Sequence, residues 1–190
     1  MFLDELDAIA KRRDDAGDLG ELKRLVNVLL KELDECPYSC IIIGATNHPD
    51  LLDKAIWRRF DRTIEVPLPT EIERIELAKR HLNKFYKLIS KDVVDYLCKN
   101  TNEVNAADMC KLCEHIKRRA VLEKNIGIDI LALEELFLFK PLNDKIKKSE
   151  ICLNLKLKFP KLTQRDIAKI TQIPLSSVSR YLNNKRKDDK

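Results

Sequence analysis

Five side chains carry the chemistry this sequence could do: Asp4 and Glu5 near the start, Asn47, and the arginines Arg59 and Arg62 beyond it. Adjacent acids can divide two tasks, one holding a magnesium ion through water and the other polarising an attacking water. An amide beside them can orient that water or a terminal phosphate. A planar, permanently charged guanidinium suits the charge that develops in phosphoryl transfer better than an ammonium does. Together these groups point to hydrolysis of a nucleotide. Each also has a plainer role: solvated strand-end acids, a helix-capping amide, and arginines in surface salt bridges.

Two strands must position them. Cys40-Ile-Ile-Ile-Gly-Ala-Thr-Asn47 is a β-branched run ending in a Thr-Asn pair. It reads as a buried parallel strand presenting a polar side chain at its carboxyl end, where open α/β sheets bind ligands. Met1-Phe-Leu-Asp-Glu5 reads as the end of a second such strand, carrying both acids to the same edge. Between them Lys11–Gly20 is a charged, glycine-containing loop. The spacing of Leu22, Leu25, Val26, Leu29, Leu30 and Leu33 predicts an amphipathic helix that Pro37 ends. Asp50 is expected to cap a short helix through Trp57, with Leu51, Leu52, Ala55 and Ile56 inward and Trp57 in the core. Thr63–Val66 alternates as a short strand before Pro67 and Pro69. Strand–helix alternation predicts a parallel α/β layer. Of the four glycines, Gly17, Gly20, Gly44 and Gly127, none precedes Lys-Ser or Lys-Thr, so no Gly-rich phosphate loop is present.

Beyond Thr70 the pattern turns helical. Thr70 and Glu73 form a capping-box pattern before Ile75, Leu77, Ala78 and Leu82, and further helices are expected at about 91–99, 105–123 (capped by Asn105) and 129–138. Lys140–Lys148 reads as a linker. A helix at 149–158 breaks at Pro160, Thr163 caps a short helix through Ile170, and a turn at Thr171–Pro174 leads into a last helix over Leu175–Leu182. The tail from Asn184 is expected to fray. The domains predicted are a partial α/β core over 1–69, a helical lid over 70–139, a linker at 140–147 and a helix-turn-helix with basic tail over 148–190.

Composition bounds the setting. Charged residues make up 35% of the chain, and no apolar run approaches the roughly 20 residues of a membrane span. No signal peptide is read at the N-terminus, and the expectation is a cytoplasmic protein with no membrane contact. The six cysteines lie in segments that can build a core unaided, which favours reduced thiols. Cys110 and Cys113 with His115 mimic a metal pattern without a second pair, and packed helix cysteines are the expectation; His48, His81 and His115 share no ligand spacing. Residues 140–190 carry 14 Lys/Arg against 5 Asp/Glu, a net of +9, while 1–139 carry 22 against 26, a net of −4. A basic segment on a mildly acidic body hints at nucleic acid for the former.

Met-Phe-Leu-Asp-Glu-Leu-Asp-Ala-Ile-Ala resembles the Walker B segment of AAA ATPases, and Gly-Ala-Thr-Asn47 their sensor-1 strand. Leu52-Asp-Lys-Ala-Ile-Trp-Arg-Arg-Phe-Asp-Arg62 is similar to their second region of homology, whose two arginine fingers fall on Arg59 and Arg62. Thr101–Met109 is similar to their lid segment, with Ala106 where a glycine usually meets the adenine and Ala107 beside it. The loop Arg12–Gly20 matches the second pore loop. The likeness covers roughly residues 1–123, in the form of the bacterial stand-alone members and the katanin–spastin type. It implies ATP and Mg2+ as cofactors, with Asp4, Glu5 and Asn47 acting in their own subunit and Arg59 and Arg62 reaching the neighbour's nucleotide in a hexameric ring. It also implies ATP-driven remodelling of a protein or assembly. The first strand, Walker A loop and first pore loop have no counterpart here, so the fold expected is a truncated parallel-sheet core, an all-α lid and a helix-turn-helix, without ATP binding or hydrolysis by the chain alone.

Gln164–Leu182 reads as two short helices and a tight turn, with Ile167, Ala168, Ile173, Val178 and Tyr181 at the positions that must be apolar or small. It resembles the helix-turn-helix of resolvases and small repressors, in which Ser176, Ser177, Ser179 and Arg180 face the major groove. Lys185 and Arg186 would add phosphate contacts to duplex DNA. Gln172 replaces the usual turn glycine. The plainer reading is a helical hairpin packed on the lid. The competing overall reading is a DNA-binding regulator in which the ATPase remnant is structural and inactive.

Overall fold

The computed structural model describes residues 1–9, 21–37, 39–139 and 148–188. The chain divides into two units, Met1–Val66 and Pro67–Lys190.

The first unit is built on a parallel strand pair, β1 (Phe2–Leu3) and β2 (Ile43–Gly44), with Phe2 opposite Ile43 and Leu3 opposite Gly44. The pairing continues past both strands, Ala45 donating its N–H to Leu3 at 2.8 Å and Leu6 donating to Ala45 at 2.9 Å. Helices α1 (Leu6–Ile9), α2 (Glu21–Asp34) and α3 (Lys54–Trp57) accompany it. Leu6, Val26, Leu30, Leu52 and Ile56 form the core, with Trp57 and Phe60 packed against it. Gly44 sits where a side chain does not fit: a Cβ there would lie 3.0 Å from the Phe60 ring and 3.1 Å from Leu6. The close approach, not backbone freedom, requires glycine at this position.

Three local expectations change. The run Cys40–Thr46 is not a buried strand: only Ile43 and Gly44 have strand pairing, and Ile43 is 55% exposed. A parallel strand is buried only when both its edges and both its faces are covered, and β2 has one strand neighbour among the described residues. Thr63–Val66 likewise forms no strand, and Ile64 and Val66 are 83% and 87% exposed. Asp50 falls in a 3-10 turn, Pro49–Leu51, and Asp53 is the residue whose side chain caps α3, accepting from the Ala55 N–H at 2.8 Å.

The second unit is helical: α4 (Glu71–Leu82), α5 (Lys91–Asn100), α6 (Ala106–Leu122), α7 (Ile128–Phe139), α8 (Lys148–Lys158), α9 (Gln164–Thr171) and α10 (Leu175–Asp188). Thr70 and Glu73 form the reciprocal capping box, and Thr163 with Asp166 forms a second. Asn105 caps α6, accepting from the Asp108 N–H at 2.8 Å. Leu82, Leu97, Met109, Ile116 and Leu133 share one hydrophobic cluster with Cys152, Leu155, Ile167, Ile170 and Val178, so α8–α10 pack into the same core as α4–α7. The expected linker 140–147 lies outside the described residues. Helix α10 runs on to Asp188, past the expected end at Leu182, because Asn-Asn-Lys-Arg-Lys contains no breaker and Lys and Arg favour helix.

Charge ties three of these helices together. Arg119 of α6 donates to Glu123 at 2.6 Å and, from α7, to Glu134 at 2.6 Å and Glu135 at 3.2 Å. Lys169 of α9 lies 3.1 Å from the other Glu134 oxygen. Glu134 and Glu135 are buried, which carboxylates tolerate only when paired.

Candidate functional site

The register of β1 and β2 places Asp4 and Glu5 beside the segment that leads to Asn47, at the carboxyl edge of the strand pair. All three side chains are exposed. Glu5 has φ of 50°, a left-handed conformation that costs a non-glycine residue about 1–3 kcal/mol, and its N–H donates to Asp4 Oδ1 at 2.9 Å.

Two residues that sequence reasoning passed over lock this edge. Thr46 donates its hydroxyl to Asp7 Oδ1 at 2.5 Å and accepts the His48 N–H at 3.0 Å. The Thr46 hydrogen bond is the main reason the Asp7 carboxyl is held below its ordinary range. The bond joins the first turn of α1 to the residue before Asn47, so the two halves of the site cannot slide independently. The signal was present: a third acid follows the Asp-Glu pair, three residues after Asp4, opposite a threonine at the strand end.

The two arginines differ. Arg59 is bound within its own unit: Nε and Nη2 donate to Asp34 at 2.8 and 2.7 Å in a bidentate pair, and Nη1 donates to the Ala55 carbonyl at 2.9 Å. Its side chain is 28% exposed, and the Asp34 hydrogen bonds raise its already high pKa further. Arg62 is exposed and pairs with none of the described residues. Both border an open groove of about 590 Å³ whose walls include Leu33, Ile43, Gly44 and Phe60. Of the two expected fingers, Arg59 is thus engaged and Arg62 unengaged among the described residues.

In the second unit Ala106 and Ala107 are the first two residues of α6, exposed at the amino end of a 17-residue helix whose free N–H groups favour an anionic or acceptor ligand. At the C-terminus α9 and α10 meet through Ile167, Ile170, Ile173 and Val178, all buried, with Ala168 and Tyr181 half-buried. Gln172 occupies the turn with φ 59° and ψ 21°, the conformation that glycine would take without strain. Ser176 and Arg180 are exposed and Ser177 and Ser179 half-buried. Arg180 lies 5.4 Å from the Tyr181 ring centroid, and Ser179 accepts from Asn183 at 3.4 Å. The side chains of Lys185 and Arg186 and the expected pore loop Arg12–Gly20 lie outside the described residues.

Among the described residues no three His, Cys, Asp or Glu gather as a metal-binding group, and no helix is long and apolar enough to cross a membrane. Cys113, which the metal pattern included, is buried, and burial pushes its thiol up to about 12.

Strand-end acids, a Thr-Asn edge and a following arginine pair all lie in the segment that is similar to AAA ATPases. Residues 1–68 match the model of the family described as "ATPase family associated with various cellular activities (AAA)". The chain is similar to the proteasome-activating nucleotidase of Methanocaldococcus jannaschii, 41% identical over 130 residues, covering 65% of this chain and 30% of that protein. It shares its fold with the FIGL-1 AAA domain crystallised in complex with ADP, at a TM-score of 0.55 and 20% identity over 85% of this chain and 57% of that one. The chain therefore spans under a third of the curated relative and little more than half of the solved domain.

Proposed function

We propose that this chain forms the hydrolytic half and the lid of an ATP site of AAA type. Asp4 holds magnesium through water, Glu5 polarises the attacking water, Asn47 orients it against the terminal phosphate, and the α6 amino end at Ala106 and Ala107 lies against the adenine. Arg62 is offered to the nucleotide of a neighbouring subunit in a hexameric ring, and Arg59 joins it on leaving Asp34. The work of such a ring is remodelling of a protein or assembly. The observation that carries this reading is the parallel register that brings Asp4, Glu5 and the approach to Asn47 onto one sheet edge.

Because no Gly-rich phosphate loop lies in the sequence, the chain alone neither binds nor hydrolyses ATP. The test has two arms. A fluorescent ATP analogue should not bind the 190-residue protein. A chimera carrying a strand and Gly-rich phosphate loop of AAA type ahead of Met1 should hydrolyse ATP, and Glu5→Gln should abolish turnover without abolishing binding. A folded, ATP-binding chimera whose turnover ignores Glu5→Gln overturns the assignment.

A second reading concerns α9 and α10. A helix pair with a left-handed turn residue and exposed Ser176 and Arg180 at the start of its second helix supports duplex DNA as a partner. Ser177, Ser179, Lys185 and Arg186 complete the surface, and the +9 charge of 140–190 supplies the phosphate-neutralising term. In that case the chain is a DNA-binding regulator whose ATPase segment is structural. A gel shift with steep salt dependence, lost in Arg180→Ala with Lys185→Ala and Arg186→Ala, supports it; a shift insensitive to that triple change refutes it.

A further inference from the structure

Cys36 and Cys40 bracket the connection from α2 into β2. Cys40 donates its N–H to the Pro37 carbonyl at 2.8 Å, the closure of a four-residue turn whose ends lie within about 7 Å. Cys36 directly precedes that turn. The turn folds the chain back between the two cysteines, which are four residues apart in sequence. Both side chains line the groove that Arg59 and Arg62 border, Cys36 half-buried and Cys40 exposed. Hydrogen bonding with Cys40 first, and burial second, raise the Cys36 pKa. No other cysteine has this setting. Cys98, Cys113 and Cys152 are buried in the helical core, and Cys110 shares a helix with Cys113.

We propose that Cys36 and Cys40 are a reversible redox modification site, closed to an intrachain disulfide by a small-molecule disulfide such as oxidised glutathione. The exposed Cys40 attacks first as its thiolate. The glutathione S–S bond breaks, one glutathione leaves as thiolate, and a mixed disulfide forms on Cys40. Cys36 then gives its proton to water and attacks Cys40 Sγ, expelling the second glutathione. Two protein thiols are oxidised and one glutathione disulfide is reduced to two thiols. The bond fixes the end of α2 two residues beyond Asp34, the partner of Arg59 on the same groove. The inference does not depend on the nucleotide reading.

The test equilibrates the full chain in glutathione buffers of graded ratio, quenches with acid, alkylates, unfolds and maps peptides by mass. The peptide holding Cys36 and Cys40 should lose two hydrogens in one two-electron step, the ratio of oxidised to reduced rising about tenfold per ~30 mV. Cys98, Cys113 and Cys152 should remain thiols throughout. In Cys40→Ser the intrachain step should vanish and modification of Cys36 should slow at least about tenfold, because the half-buried thiol has lost its entry partner. Cys36 and Cys40 both remaining alkylatable at the most oxidising ratio overturns the proposal. So does a stable glutathione adduct on Cys40 with Cys36 free, or a disulfide that draws in any other cysteine.

Discussion

Replacing Arg119 with methionine removes the one cation shared by Glu123, Glu134 and Glu135 while keeping most of the side-chain volume. Glu134 is 3% exposed, and its remaining partner is Lys169, 3.1 Å away; Glu135 is left with His115 at 3.5 Å. Breaking a buried ion pair by deleting one partner costs about 3–5 kcal/mol. Because Lys169 persists beside Glu134, the lower end applies, about 3 kcal/mol, which in a unit of this size lowers Tm by roughly 10 °C. The deficit should depend on pH. Glu123 is held below the ordinary carboxylate range chiefly by its hydrogen bond to Arg119. Its stabilisation is therefore fully present above the unfolded carboxylate pKa and fades as pH falls through the lower folded value. Arg119→Met has already lost that contribution, so the wild-type advantage should shrink on acidification. Differential scanning fluorimetry from neutral pH to about pH 4 reads both effects. A Tm within error of wild type at neutral pH, or a gap that widens on acidification, refutes the assignment of this network as the tie between α6, α7 and α9.

Gly44→Ala puts a methyl 3.0 Å from Phe60 and 3.1 Å from Leu6, and urea unfolding should show a loss of about 1–2 kcal/mol. Gln172→Gly should stabilise by roughly 0.5–1 kcal/mol, since φ of 59° is strained for glutamine and free for glycine; an unchanged or lower urea midpoint contradicts the strain. The Asp7 carboxyl should titrate below its ordinary range by NMR and move back up in Thr46→Val, because the Thr46 hydroxyl is the main cause of the shift. Its contribution to stability is present above the unfolded value and lost as pH falls through the folded one. Asp34→Asn should speed the release of Arg59, seen as faster guanidinium Nε–H exchange, and leave exchange at Arg62 unchanged.

Helices that end in side-chain caps were legible in the sequence. Thr70 with Glu73, Asn105 and Thr163 each offer an oxygen at the right offset before an apolar stripe, so the starts of α4, α6 and α9 needed only local chemistry. The strands were less legible because pairing is not local. Cys-Ile-Ile-Ile-Gly has strand character throughout, yet its extent depends on how many neighbours flank it, and only Ile43 and Gly44 have one. Asp50 and Asp53 are both good caps, and the choice between them rests on where Pro49 starts its 3-10 turn. Within the candidate site, Asp4, Glu5 and Asn47 could be read from their strand ends. The Asp34–Arg59 and Thr46–Asp7 bonds join residues 25 and 39 apart, beyond the reach of periodicity or spacing.

In the proposed function Asp4 and Glu5 serve the pocket of their own subunit while Arg62 serves the next. Subunit mixing tests it most directly. Chimeric subunits carrying Glu5→Gln and chimeric subunits carrying Arg62→Ala should each be inactive as pure rings. Mixed in equal amounts, they should recover turnover at about one interface in four, where an intact Glu5 meets an intact Arg62 across a head-to-tail contact. Mixed rings as inactive as either parent would contradict it, as would an Arg62→Ala ring that turns over ATP unaided.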